Sequence, residues 1–271
     1  MRGYLNALLY GFEPWDMYRK AADASVGRTG NPVADVVPEF NRQILPGGIR
    51  IYTKILPCGL ATTPRALSEA MKERRYDIIL GTGLASRARK PTFEEAGYNQ
   101  WRGKYYEKCS RSGPLEREIK SGGAKKYFVT VDNERLVESL SENGIDASIS
   151  ESKKDKGFVC NYSIFFLGRH IYENLSNIAF AFFHTPLTAD YASYFSPEYR
   201  RGKFLGFKSN PVFRPQKVFI EKNTLRKTIH NTLINEAEQL ENGLVRIREP
   251  HNPQERTLLD NIGNTSIAIH I

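Results

Sequence analysis

Apolar positions along this chain recur in two rhythms, and the change from one to the other marks its elements. Tyr4 to Phe12 is a mostly apolar run rich in Leu and Tyr that ends at Gly11-Phe12-Glu13-Pro14, which reads as a buried strand passing into a loop. Ile49 to Leu56 alternates around β-branched residues and stops at Pro57, a second strand. Asp77 to Leu80 is a short buried strand placed before Gly81-Thr82-Gly83. Tyr127 to Val131, Ala147 to Ser150 and Asn177 to Phe183 complete the set, the last followed by His184-Thr185-Pro186. Between them the period lengthens. Thr63-Pro64 opens a helix, with Thr as cap and Pro in the first turn, and Leu67, Ala70 and Met71 recur at helical spacing up to Arg75. Asn133 to Asn143 repeats the pattern with Leu136 and Leu140 and is stopped by Gly144. A further helix begins near Phe158. Strands alternating with helices in this way predict a layered α/β domain with a largely parallel sheet.

After Pro186 the pattern dissolves. Residues 187–222 are rich in Tyr, Phe, Pro, Arg and Lys without a period. Residues 223–243 are again helical, with Leu225, Ile229, Leu233, Ala237 and Leu240 on one stripe, and the final stretch is polar up to a closing SIAIHI. The chain is therefore divided into an α/β domain over 1–195 and a partly helical C-terminal extension over 196–271. An apolar stripe of this kind packs on its own domain or forms an arm for a homo-oligomer or a partner.

Composition narrows the class. Of 271 residues, 40% are hydrophobic and 25% charged, enough to bury a core. The longest wholly apolar run, Ile178 to Phe183, falls far short of the roughly 20 residues that cross a bilayer. The opening MRGYLNALLYGFEPW lacks a small-residue cleavage site, so no secretory signal is read and a cytoplasmic setting is expected. Three cysteines, Cys58, Cys109 and Cys160, are too few and too scattered for a disulfide framework or a zinc site, and neither metal nor cofactor is expected. The net charge of +9 raises the question of an anionic partner. Its basic residues come in short groups, without a basic tail or any nucleic-acid-binding motif, which argues against nucleic acid and for a solvated basic surface.

Open α/β sheets place their sites at the carboxyl ends of strands. Cys160 sits there, at the start of a helix whose partial positive charge and free N–H groups favour a thiolate and can hold an oxyanion. His184 ends the next strand and meets Cys160 if the two strands are neighbours. Glu94, beyond the Gly83 loop, is placed to orient that histidine. Each residue also has a plain reading: a small buried hydrophobe, a capped loop histidine, and a solvated acid beside Glu95.

Blocks of residues, in order, resemble the pyroglutamyl peptidase I (pyrrolidone-carboxylate peptidase) family of cysteine peptidases. Gly11-Phe12-Glu13-Pro14-Trp15 is similar to its GFEPF turn and Asn31-Pro32 to its NP step. Gly83-Leu84-Ala85 with Thr92-Phe93-Glu94-Glu95-Ala96-Gly97-Tyr98-Asn99 resembles its glutamate block. Phe158-Val159-Cys160-Asn161-Tyr162 is similar to its nucleophile motif and Phe183-His184-Thr185-Pro186 to its histidine motif. The resemblance covers residues 4 to about 190 and implies a cytoplasmic α/β/α sandwich acting on peptides blocked by an N-terminal pyroglutamyl residue. It implies catalysis by Cys160, His184 and Glu94, and a mostly apolar lactam pocket near Phe12, Trp15, Asn31, Leu84 and Val159. Phe12, Trp15 and Val159 also read as ordinary core.

Departures from the family lie beside the expected site. Ser86, Arg87 and Ala88 replace a Gly-Arg pair, Arg102 and Lys104 fall where an Asp-Ala-Arg is expected, and Ser152 to Gly157 is longer and more basic than the family's small-residue turn. These changes leave the three catalytic positions intact. They also motivate a second expectation of a different class, a diverged, non-catalytic module that binds an anionic partner.

Overall fold

The computed structural model describes residues 3–14, 29–59, 62–85, 88–102, 116–150, 158–191 and 219–250. In chain order its elements are β1 (Leu5–Phe12), α1 (Pro32–Val36), β2 (Ile44–Leu45), β3 (Ile49–Leu56), α2 (Thr62–Glu73), β4 (Ile78–Leu84), β5 (Thr92–Phe93), β6 (Ala96–Tyr98), β7 (Trp101–Arg102), β8 (Glu116–Arg117), β9 (Lys126–Phe128), α3 (Asn133–Glu142), β10 (Ser148–Ile149), α4 (Val159–Glu173), β11 (Ala179–Thr185) and α5 (Lys222–Glu241).

Seven strands form the central sheet in the order β10-β5-β11-β4-β1-β3-β2. The β1–β3, β1–β4, β4–β11 and β5–β10 pairs are parallel, while β5–β11 and β2–β3 are antiparallel. Strands β1, β4 and β11 lie at the centre and are buried on both faces. Leu8, Leu9, Ile79, Leu80, Phe180 and Phe182 are all fully inaccessible, which is why these segments read as apolar runs rather than as alternations. Helices α2 and α4 cover one face; α1, α3 and α5 cover the other. The result is the α/β/α sandwich expected from the sequence.

Most elements fall where the hydrophobic rhythm puts them, and β3 has the expected bounds. Three differ in ways that matter for the site. The strand expected to end at Leu80 runs on to Leu84, so Gly81, Thr82 and Gly83 are sheet residues and not a loop. The strand expected over 177–183 starts at Ala179 and continues through His184 and Thr185. The segment expected as a strand over 127–131 pairs with β6 only as far as Phe128. Beyond it Val129 N–H turns to the Glu95 carbonyl, and Thr130 N–H to that of Phe180.

The division at 195/196 follows composition, while the packing runs across it. Helix α5 buries Leu225, Ile229, Leu233 and Ala237 in the same core as β1 and β4. At its N-terminal end Arg226 and Lys222 converge on Glu39, with Arg226 Nε donating to Glu39 Oε2 at 2.7 Å. Toward the other end, Gln239 exchanges hydrogen bonds with the backbone N–H and C=O of Asp132 at 2.7 and 3.1 Å.

Helix α5 also brings a carboxyl into the core. Glu236 is fully inaccessible, and burial pushes its carboxyl well above the usual range. A raised folded-state pKa means that unfolding releases a proton above the unfolded value of about 4.3, so this group's contribution falls as pH rises from there toward the folded pKa. Urea unfolding of wild type and Glu236→Gln between pH 4.5 and 8 checks this. The stability of wild type relative to the variant should decline with pH, by up to about 1.4 kcal/mol per unit. Parallel curves would show that Glu236 does not hold its proton in the fold.

Candidate active site

His184 stands one residue from the carboxyl end of β11, opposite Gly83 of β4 in the parallel register and opposite Thr92 of β5 on its other side. The strand ending near Ser150 is not its neighbour, because β5 lies between β10 and β11. That inserted strand is what delivers the glutamate. Glu94 follows β5 directly, and its Oε1 lies 3.0 Å from His184 Nδ1. Its backbone is fixed from two sides, by its N–H donating to the Phe182 carbonyl at 2.9 Å and by Asn133 Nδ2 donating to its carbonyl at 3.1 Å.

Cys160 comes from above the sheet. It occupies the second position of α4, whose N-cap residue, Phe158, offers no side-chain acceptor to the first turn. The partial positive charge of that turn and its amide hydrogens therefore face the end of the sheet. Cys160 is buried, and its sulfur and the His184 ring both lie against Gly83. Gly83 makes this approach possible: a β-carbon there would fall 2.7 Å from Cys160 Sγ and 3.2 Å from His184 Cδ2. No side chain larger than hydrogen fits between the strand, the Cys160 sulfur and the His184 ring.

The electrostatics follow from this placement. Burial alone would lower the pKa of His184, but its hydrogen bonds to Cys160 and then Glu94, reinforced by their charges, push it up to about 10. Both partners thus favour the protonated imidazole. The His184 and Glu94 side chains stay 21% and 14% exposed.

Asn161, next to the cysteine, was not singled out on sequence, and its signal lay only in its place inside the FVCNY block. Its Oδ1 accepts from Tyr98 N–H at 2.7 Å, and its Nδ2 donates to the carbonyls of Tyr98 and Gln100 at 2.9 and 3.0 Å. The helix that carries Cys160 is in this way tied to the chain that leads away from Glu94.

The remaining expected site residues are placed as follows. Phe12 ends β1, is buried, and meets Tyr10 edge to face with ring centroids 5.9 Å apart. Val159 is fully buried under the first turn of α4. Asn31 has its side chain occupied: Oδ1 caps Val33 N–H at 3.0 Å and Nδ2 donates to the Phe12 carbonyl at 2.8 Å. It acts as a brace at the end of β1. Leu84, next to Gly83, packs with Leu187, Tyr191 and Phe219 in a small cluster apart from the main core. Trp15, Cys109 and the lysines at 153–156 that motivated an anionic partner lie outside the described residues. Among the described residues no cluster of His, Cys, Asp or Glu could hold a metal ion, and no helix is long and apolar enough to cross a membrane.

The comparisons with known proteins agree with this architecture. The sequence model of the pyroglutamyl peptidase family matches residues 6–193. Fold and match together define a cysteine-type omega peptidase, a hydrolase. The chain belongs to the pyroglutamyl peptidase family. Among its relatives are the pyrrolidone-carboxylate peptidases of Yersinia pestis (strain Pestoides F) and Yersinia pseudotuberculosis (strain YPIII). Each is 25% identical over 187 residues, 69% of this chain and 80% of the relative. In three dimensions it resembles the pyrrolidone carboxyl peptidase from Thermococcus litoralis, with a TM-score of 0.69 at 21% identity over 91% of this chain and 99% of that one. It also resembles pyroglutamyl peptidase I from Bacillus amyloliquefaciens, with a TM-score of 0.67 at 23% identity over 86% and 95% of the two chains.

The His184 proton gives a direct test. In histidine-labelled protein followed by NMR, the His184 ring should titrate near pH 10. Glu94→Gln removes a charged acceptor that favours the imidazolium, so the midpoint should fall by about 1–3 units. A midpoint unchanged by that substitution would mean that Glu94 does not hold the proton on the ring.

Proposed function

We propose that this chain removes an N-terminal pyroglutamyl (5-oxoproline) residue from peptides, with Cys160 as nucleophile, His184 as acid and base, and Glu94 as the residue that orients it. The observation that carries the reading is the single histidine held between a cysteine at a helix N-terminus and a carboxylate, at the carboxyl end of the sheet of a chain in this family.

The thiolate is the reactive form of cysteine, and a neighbouring imidazolium stabilises it. Cys160 Sγ attacks the carbonyl carbon of the pyroglutamyl amide, forming a C–S bond while the carbonyl π pair moves to oxygen. The amide hydrogens at the start of α4 are suited to receive that oxyanion. His184 gives its proton to the leaving amine as the C–N bond breaks and the thioester forms. Water then attacks the thioester, losing a proton to His184, and the C–S bond breaks to release pyroglutamate and restore the thiolate–imidazolium pair. Glu94 keeps the imidazole in one orientation through Nδ1 while its other nitrogen works toward sulfur and substrate. The lactam is neutral and compact, so apolar walls suit it. Phe12, Leu84 and Val159 are the described residues assigned to that role, with Asn31 bracing the end of β1 beside them.

Hydrolysis of a fluorogenic pyroglutamyl amide tests the reading. Wild type should turn the substrate over, and Cys160→Ser should lower kcat by about a thousand-fold or more, as removal of a covalent nucleophile does. No turnover by wild type, or equal turnover by the variant, overturns it. His184→Ala should fall as far as Cys160→Ser, with no further loss in the double variant, because the two act as a unit.

A further inference from the structure

Beneath the first turn of α4, hydrogen bonds lead from the middle of the sheet to the backbone of the nucleophile. Tyr10, in β1, is fully buried, and its hydroxyl donates to Ser163 Oγ at 3.1 Å. Ser163 is equally buried and donates to the carbonyl of Cys160 at 2.8 Å. The route therefore runs Tyr10, Ser163, Cys160, with each hydroxyl oriented by the next acceptor.

Packing does not account for the tyrosine. Gly81 leaves room for it, since a β-carbon there would fall 2.4 Å from the phenol oxygen. Phenylalanine would fill nearly the same volume without placing a hydroxyl in the core, where a polar group costs free energy unless it is hydrogen-bonded. Burial pushes the Tyr10 phenol far above the usual range, against the pull of its Ser163 bond and together with the charge of nearby Cys160. It thus remains a donor wherever the protein is folded. Serine inside a helix ordinarily weakens it slightly by bonding back to a preceding carbonyl. Here that back-bond falls on the carbonyl of the residue that must lie against His184.

We propose that Tyr10 and Ser163 are positioning residues for the nucleophile: the Tyr10–Ser163–Cys160 chain holds the first turn of α4 at the height above Gly83 that keeps Cys160 Sγ against His184. The inference rests on the cysteine-peptidase reading above, and its role is geometric. Neither hydroxyl touches substrate.

The test uses the full chain with Tyr10→Phe, Ser163→Ala and the double variant, followed by two readouts. One is kcat and KM on the pyroglutamyl amide. The other is the rate of Cys160 alkylation by iodoacetamide as a function of pH, which needs no substrate specificity. Each single variant should lower kcat about ten-fold with KM nearly unchanged, because a small misplacement of a reacting group acts on the transition state. Alkylation should slow at pH 7, and its acid limb should move to higher pH. The double variant should be no worse than Ser163→Ala alone, since both changes break one chain. Tyr10→Phe is nearly isosteric, and if it fails to fold Ser163→Ala decides alone. Unchanged kcat and an unchanged alkylation profile overturn the proposal, as do losses that multiply in the double variant. If wild type alkylates rapidly but does not cleave the amide, the substrate reading fails, and the alkylation profile still judges the positioning chain.

Discussion

An imidazole that keeps its proton at neutral pH inside a protein needs partners that favour the cation, because burial by itself would remove the proton. His184 has two, a carboxylate on Nδ1 and the Cys160 sulfur. Each is useful only while the other is present. Without Glu94 the ring would lose the acceptor on Nδ1. The rest of the carboxyl end of the sheet can be understood as what brings these three groups from separate elements to one point and keeps bulk water from weakening their interaction.

That requirement explains features that look unrelated along the chain. The parallel β4–β11 register sets Gly83 beside His184, and the missing β-carbon at Gly83 lets the helix bearing Cys160 settle onto the sheet. The short β5, antiparallel to β11 in an otherwise parallel neighbourhood, turns the chain so that Glu94 meets the histidine from its far side. Asn133 and Asn161 then hold the stretch around Glu94 by backbone hydrogen bonds, one from α3 and one from α4. Positions fixed through the main chain tolerate little drift, which suits a site whose rate depends on fractions of an ångström.

The layered fold was legible because its central strands, buried on both faces, read as short apolar runs, while its helices, buried on one, carry a helical period. The three chemical residues were legible only as separate candidates. Their meeting depends on β5, a two-residue strand too short to carry any period, and on a glycine whose value is the space it leaves. Gly81 and Gly83 read as a loop by composition because glycine usually marks one. In the structure they are sheet residues, chosen for what leans on them. Asn161 and Tyr10 were hidden for a similar reason: an asparagine in a motif and a tyrosine in an apolar strand say nothing about partners 63 and 153 residues away.

Helix α5 shows how composition and packing can part company. The family match ends at 193, yet the likeness to the Thermococcus litoralis structure spans 91% of this chain, which carries it past the matched segment. A helix that serves the fold through an apolar stripe can exchange one hydrophobic residue for another with little loss, provided volume and pattern persist. What α5 must keep is its four buried apolar positions and its attachments at Glu39 and Asp132. Through α3, which it grips at Asp132, the helix steadies the residue next in line, Asn133, and so the backbone of Glu94. A segment that shares no chemistry with the site thus supports the geometry on which His184 depends.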